Sequence, residues 1–312
     1  MKDRKITETG ESLRVNTIGR YLKDRFGQKV VKLSLDGGFT CPNRDGTVGT
    51  GGCLFCSDEG GSDFASDIEG QIALLSDKWP DSAYLAYFQN HTNTYAPADV
   101  LRDRYLQALA RPGIRGLAIA TRPDCLPPDV LDLLSELNRD HFLWVELGLQ
   151  TIHEDTAVLI NRCYPLSVFE EAMRELSSRN ILTVVHVILG LPGETKEQML
   201  ESVRYVAASG AGGIKLHLLN VVKNSRMARE MPDYVPFETI DEYVDLVCDC
   251  LEILPPEMVV HRMTADVPQR TLIAPEWSYR KRTVLNRIYA ELTRRDSWQG
   301  TLRPSGSPAL TW

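Results

Sequence analysis

Three of the seven cysteines, Cys41, Cys53 and Cys56, fall within one stretch, "CPNRDGTVGTGGCLFC". Thiolates bind metals, and three of them are one short of a closed tetrahedral site. Cys53 and Cys56 form a C-x-x-C pair, a pattern that redox pairs and zinc knuckles share. A redox pair has no use for Cys41, and a structural zinc wants a second pair. The remaining cysteines, Cys125, Cys163, Cys248 and Cys250, supply none, and the last two fall in an amphipathic helical pattern and read as packed thiols. Either a fourth ligand comes from elsewhere, or the metal keeps one position open for something that is not protein. A 4Fe–4S cluster ordinarily takes four thiolates, and one held by three leaves a single iron free. The glycines at 46, 49, 51 and 52 let such a loop fold tightly.

Strands and helices must hold that loop. Short apolar runs begin at 30 ("VVKLSL"), 84 ("YLAYF"), 116 ("GLAIAT"), 143 ("LWVELGL"), 182 ("LTVVHVILG"), 213 ("GIKLHLL") and 258 ("MVVHRM"). Between them lie helical patterns such as "PPDVLDLLSELNRD", "LSVFEEAMRELSSRN", "TKEQMLESVRYVAASG" and "TIDEYVDLVCDCLEIL". Pro127 and Pro128 open the first, Ser167 caps the second and Gly210 ends the third. Nearly continuous apolar character suits parallel strands covered by helices. Strand then helix, repeated six or seven times, predicts an α/β fold, a partial TIM-type (β/α)6 barrel; a doubly wound open sheet has the same local rhythm. Chemistry in such folds gathers past the C-terminal ends of the strands, where the cysteines, "FQNHTNT", "TRPD", "LQT", "LPGET" and "LNVVKNS" all fall. The expected organisation is a helical lead-in over 1–28, the barrel over 29–256, and an extension over 257–312 that packs on it and is basic in part.

The 312 residues carry a net charge of −7, with 43% hydrophobic and 25% charged residues, which is the composition of a soluble globular protein. The first twenty residues hold no apolar signal core, and no run approaches the roughly 20 residues that span a bilayer, so the chain reads as cytoplasmic with no membrane partner. An odd cysteine count outside a secreted scaffold argues against a disulfide framework.

With an aromatic residue directly before its last cysteine, the loop resembles the cluster loop of the radical S-adenosylmethionine (SAM) superfamily. Its long first spacing is similar to that of the Elongator catalytic-subunit branch. "AYFQNHTNTYAP", "ATRPDCLP", "VELGLQTIHEDTAVLINR", "HVILGLPGET", "GIKLHLLNVVKNS" and "LIAPEW" extend the resemblance across nearly the whole chain, to the YhcC/YtqA-type subfamily. The resemblance implies that Cys41, Cys53 and Cys56 hold a 4Fe–4S cluster whose open iron chelates SAM. An electron, from a donor such as flavodoxin or ferredoxin, then releases a 5′-deoxyadenosyl radical that takes hydrogen from substrate. It further implies that Phe55 flanks the adenine and that Gln89 contacts the methionine moiety. Glu146, Gln150 and Arg162 would line the ribose and carboxylate, and Ile188 to Gly190 would meet the adenine edge. Arg122 and Asp124 of "TRPD" belong either to the cofactor pocket or to an ion pair that fixes a loop.

On residue chemistry alone other readings stand beside these. A buried Glu146 needs a partner such as Arg122 in any case, Arg162 suits a surface helix, and Gly190, Pro192 and Gly193 suit a helix-starting turn. His217 and His91 are as compatible with a core as with a site. One departure is that Cys163 and Tyr164 follow "INR" where the family typically has glycine and histidine. It alters a rim position beside Arg162 without touching the cysteine ligands.

For substrate, the Elongator-type resemblance implies the C5 side chain of wobble uridine in tRNA, for example carboxymethylaminomethyl converted to aminomethyl. From Arg280 to Arg303 there are seven Lys/Arg against Glu291 and Asp296, with Trp277, Tyr279 and Trp298 nearby, a set suited to phosphate contact and base stacking, although the charge run alone reads as readily as a solvated helix face. The overall acidity and the lack of a separate RNA-binding module weigh against RNA. A small metabolite as substrate is the first alternative. The second is an accessory or electron-transfer role, with the C-terminal extension docking on a protein partner.

Overall fold

The computed structural model describes residues 14–57 and 65–303. Nine strands are found among them: β1 (Val30–Leu35), β2 (Ala83–Phe88), β3 (Ile114–Thr121), β4 (Phe142–Gln150), β5 (Leu182–Leu189), β6 (Gly213–Leu218), β7 (Val221–Val222), β8 (Val259–Arg262) and β9 (Leu272–Ala274). Seven of them pair in parallel in the order β1-β2-β3-β4-β5-β6-β8, and the sheet curls into a half-barrel. The short β7 and β9 form a separate antiparallel ribbon. The helices are α1 (Ile18–Phe26), α2 (Ile68–Ser76), α3 (Ala98–Leu109), α4 (Pro128–Asp140), α5 (Glu154–Leu159), α6 (Leu166–Ser178), α7 (Lys196–Ala208), α8 (Arg226–Glu230), α9 (Ile240–Ile253) and α10 (Lys281–Arg294). All seven apolar runs picked out in the sequence became strands of the curled sheet. The last of them, β8, lies beyond residue 256 and pairs with β6, so the sheet continues into the segment expected to be an extension.

Both faces of the strands are covered, which is why they read as continuously apolar. Outward side chains such as Leu33, Ala86, Leu117, Val145, Val185 and Ile214 pack with the helices in the main core. Inward ones, Val30, Leu85, Ala118, Trp144 and Val184 among them, form a second cluster with Leu22 of α1, which therefore stoppers the N-terminal end of the barrel. Fully burying each Val, Leu or Ile among them contributes about 1.5–3 kcal/mol. The chain just ahead of α1 also joins the sheet, with Val260 N donating to the Asn16 carbonyl at 2.8 Å.

The helix signals explain most boundaries. Pro127 and Pro128 do open α4, and Gly210, at φ +84°, follows α7. Reciprocal capping boxes start α7 (Thr195 with Gln198) and α9 (Thr239 with Glu242). Ser167 does not cap α6: the helix begins at Leu166 directly after Pro165, so Ser167 already lies in its first turn.

The basic C-terminal stretch is largely neutralised within the chain. Asp241, Asp245, Asp249 and Glu252 lie at spacings of four, four and three on α9, which puts them on one helix face. Arg287 reaches Asp241 at 2.5 Å, and Arg295 reaches Asp249 at 2.6 Å and also pairs with Asp245 and Glu252. Arg294 pairs with Glu291, Lys281 with Asp266 and Arg303 with Glu257. The half-buried Trp277 ring packs 5.9 Å from Tyr243. This segment is thus mainly a seam that clamps α10 to α9. Among the described residues, no helix is long and apolar enough to cross a membrane.

Candidate cluster and cofactor site

The cysteine loop is anchored by Leu54, the first of the two residues between Cys53 and Cys56. Leu54 is buried with Ile160, Ile188, Leu191, Leu219, Val221 and Met227 at the C-terminal rim of the barrel. Its N–H donates to the Ile160 carbonyl and its carbonyl accepts from Met227 N, each at 2.9 Å. Cys53, Phe55 and Cys56, on either side of this anchor, all line a cavity inside the barrel mouth, together with Cys41. Asn43 Nδ2 donates to the Asn161 carbonyl at 2.6 Å, and Asn161 Nδ2 donates to the Gly52 carbonyl at 2.8 Å, locking the loop to the end of α5. A Cβ at Gly49 would stand 2.3 Å from Asn43 Oδ1 and 2.9 Å from Cys163 Sγ, so any other residue there would displace those side chains.

The cavity measures about 470 Å³, within the usual range for small-molecule sites. Ten of the twelve residues singled out in the sequence line it: Cys41, Cys53, Cys56, Phe55, Gln89, Arg122, Glu146, Gln150, Arg162 and Ile188. Asp124 and Gly190 do not. Asp124 instead grips the Arg122 guanidinium with both oxygens, at 2.9 and 2.6 Å. Gly190, at φ +92°, makes a packed turn: its carbonyl accepts from Tyr234 Oη at 2.9 Å, and a Cβ would meet the Phe237 ring at 2.7 Å.

The donor set suits a cluster better than a single ion. Among the described residues no three His, Cys, Asp or Glu side chains close on one metal ion, whereas a cluster lets each thiolate bind a different iron. Cys53 hydrogen-bonds to the Cys56 sulfur and lowers that thiol, with Arg44 adding to the effect against burial. The same hydrogen bond to Cys56, with burial, pushes the Cys53 thiol well up, against the field of Arg122. Cys163 is not among the lining residues; its sulfur rests 3.2 Å from both Asn43 Oδ1 and Asn161 Oδ1. It also adopts φ +63°, a conformation glycine takes without penalty, which accounts for the family's usual glycine. Tyr164 lies between the two arginines, its ring 4.9 Å from the Arg122 guanidinium carbon and 4.7 Å from that of Arg162. Arg162 is a buried residue, not a surface one: it donates to the carbonyls of Tyr164, Leu149 and Thr151 at 3.0, 3.1 and 2.6 Å and pins the end of β4.

Below this level the barrel is polar. Glu146 does not pair with Arg122. It is fully buried, pairs with Lys215, and accepts from Trp144 Nε1 at 2.9 Å and from His186 Nε2 at 2.8 Å. Lys215 Nζ also donates to Tyr87 Oη at 2.7 Å. Burial opposes the Glu146 charge, but Lys215 and His186 overcome it and hold the carboxyl well below its usual range. Burial brings Lys215 down to about 7 against the pull of Glu146, and His186 down to about 4 with help from Lys215. His217 stands 4.9 Å from His186, ring to ring, with its Nε2 buried and without a partner.

Tyr87, His186, Lys215, Asn220 and Arg262 also line the cavity and were not singled out in the sequence. A signal was present: inside the apolar strands "WVELGLQ", "VVHVIL" and "GIKLHL" stand Glu146 and Gln150, His186, and Lys215 and His217, and the even spacing of four and of two within a strand places each pair on one face. Seven Lys/Arg line the cavity against the two carboxylates of Glu146 and Asp266, a balance that favours anionic ligands.

A half-barrel with three cysteines on one rim loop is the architecture of radical SAM proteins, and the comparisons agree. The radical SAM superfamily model matches residues 46–206 and the radical SAM C-terminal domain matches 211–294. The chain belongs to the radical SAM superfamily. It is 47% identical over 296 residues to the uncharacterized protein YtqA of Bacillus subtilis, covering 92% of each chain. It is 41% identical over 270 residues to protein YhcC of Escherichia coli, covering 84% of this chain and 87% of that one. A more distant likeness, 27% over 158 residues, reaches the tRNA uridine(34) acetyltransferase of Dehalococcoides mccartyi, over 49% of this chain and 34% of that one. Among solved structures, an N-terminally truncated Elp3 of the archaeon Methanocaldococcus infernus superimposes with a TM-score of 0.66 at 14% identity. The match covers 86% of this chain and spans 64% of the Elp3 chain, and it bears on the fold alone.

Proposed function

We propose that this radical SAM protein acts on the C5 side chain of the wobble uridine of tRNA, taking hydrogen beside the amine nitrogen of a carboxymethylaminomethyl group on the way to aminomethyl. The observation that carries the enzymatic reading is the convergence of Cys41, Cys53 and Cys56, alone among the cysteines, on one cavity whose other walls are strand-end polar residues. When bound there, a 4Fe–4S cluster with SAM supplies a 5′-deoxyadenosyl radical.

The chain's own residues do the rest. The three cysteines hold the cluster, and Arg44 and Arg122 offset its negative charge. Phe55 and Ile188 flank the adenine, and Gln89, Gln150 and the Tyr164–Arg162 corner orient the methionine and ribose ends. The apolar stopper of Leu22 and Trp144 closes the barrel from below and keeps water out of the radical path. The cationic lining suits both the SAM carboxylate and a carboxymethyl substrate. The tRNA reading draws its support from the partial likeness to the tRNA uridine(34) acetyltransferase. An electron carrier of the flavodoxin or ferredoxin type is the partner this chemistry calls for.

The test is nucleoside analysis of tRNA from a strain lacking the gene. Carboxymethylaminomethyluridine should accumulate at the expense of aminomethyluridine and return to normal on complementation. An unchanged wobble-uridine profile would overturn the substrate assignment.

A further inference from the structure

The seven cations of residues 280–303 make that stretch a candidate place for RNA phosphates, yet five of them already have carboxylate partners. A paired cation gains little from a phosphate, because a new contact must break an old one and releases few counterions. The cavity mouth is different. Lys223 and Arg270 both line it, both are exposed, and among the described residues neither has a carboxylate within ion-pair distance.

They are also held together. Lys223 directly follows β7, and Arg270 lies just ahead of β9, so both stand at the same end of the antiparallel ribbon. Lys223 N donates to the Thr271 carbonyl and Lys223 Nζ to the Arg270 carbonyl, each at 2.8 Å. The ribbon is fixed in turn to the cysteine loop, because Val221 and Ala274 share the rim cluster with Leu54. On the same wall Asn220 is nine-tenths buried, with its Oδ1 lacking a partner. A rigid pair of available cations at the mouth, above a cavity of about 470 Å³, has the arrangement needed to hold the backbone on either side of one nucleotide whose base enters.

We infer that the Lys223–Arg270 edge of the ribbon is the RNA-phosphate docking surface of this protein, and that α10 is not. The inference rests on the RNA-substrate reading above and adds where the backbone sits. Each phosphate contact removed lowers the salt slope of binding by about 0.7–0.9.

The test uses the full chain, anaerobically reconstituted, with bulk tRNA from a strain lacking the gene and binding measured between low and physiological salt. Lys223→Ala with Arg270→Ala should weaken binding about 10-fold or more and lower the salt slope by about 1.5. Arg282→Ala with Arg294→Ala on α10 should stay within about 2-fold of the unmodified protein. Cluster absorbance and thermal melting of each variant report that it is folded. If the unmodified chain binds tRNA and the ribbon variant binds equally well, or if the loss follows the α10 variant, the inference falls while the RNA reading stands. Failure of the unmodified chain to bind tRNA at any salt sinks both. Retention of an acidic flavodoxin in place of tRNA, lost in the ribbon variant, would assign the edge to a protein partner and overturn the inference.

Discussion

Glu146 on β4 and Lys215 on β6 form an ion pair in the centre of the barrel, with both side chains almost wholly removed from water. Trp144, His186 and Tyr87 complete the hydrogen bonding around them. Such a pair is a weak source of net stability, but removing one partner strands a buried charge. Lys215→Met should therefore cost about 3–5 kcal/mol in urea unfolding, and adding Glu146→Gln should recover much of the loss. Equal and additive costs for the two changes would show that the pair is not coupled.

The same layer makes stability depend on pH. Burial, with Lys215 beside it, holds His186 at about 4, below the ordinary value near 6.5. Between about pH 6.5 and 4 the unfolded chain therefore binds a proton that the folded chain refuses, so stability falls as pH drops through that window, by on the order of 3 kcal/mol. His217 and His261, both lowered chiefly by burial, act in the same direction. His186→Gln, which keeps a donor for Glu146, should flatten part of this slope in unfolding curves taken at pH 7, 5.5 and 4.5; an unaltered slope would rule His186 out as its source.

Leu54 ties the cysteine loop to the rim. Leu54→Ala removes a side chain that is 2% exposed and should cost about 2–5 kcal/mol. Because Cys53 and Phe55 flank it, iron content after reconstitution should fall as well, even though no ligand has changed. Full cluster loading in a destabilised Leu54→Ala protein would separate the anchor from the loop's function.

The ligand assignment separates the cysteines sharply. Cys53→Ala should lose the visible absorbance of the cluster, whereas Cys248→Ala should keep it, since Cys248 is fully buried and its thiol meets the Ile288 carbonyl at 3.7 Å. Equal behaviour of the two variants would remove the basis for the three-cysteine site.

Much of this molecule could be read from its residues, and the unread parts have a common cause. Strand positions were legible because each strand is a short, mostly apolar run bounded by polar turns, and the loop was legible because the spacing of three cysteines has few physical uses. Cavity contacts depending on residues far apart in sequence were not: Lys215 finds Glu146 from 69 residues away, and nothing local names that partner. The charge count over 280–303, which suits a solvated helix face as well as phosphate contact, could not show the pairing of its cations for the same reason. Its answer lay in the acidic face of α9, whose spacing was visible but whose neighbour was not. Arg162, for which residue chemistry alone offered a helix surface beside the cofactor pocket, is buried, and the carbonyls of Leu149, Thr151 and Tyr164 converge on its guanidinium.

The central claim, a radical SAM enzyme that acts on tRNA, is tested most directly by anaerobic reconstitution with iron, sulfide, SAM and dithionite. 5′-Deoxyadenosine is then followed by chromatography with and without tRNA from a strain lacking the gene. The account predicts that 5′-deoxyadenosine forms and that its yield rises when the tRNA is added. A fully loaded cluster that releases none, with or without tRNA, would contradict it.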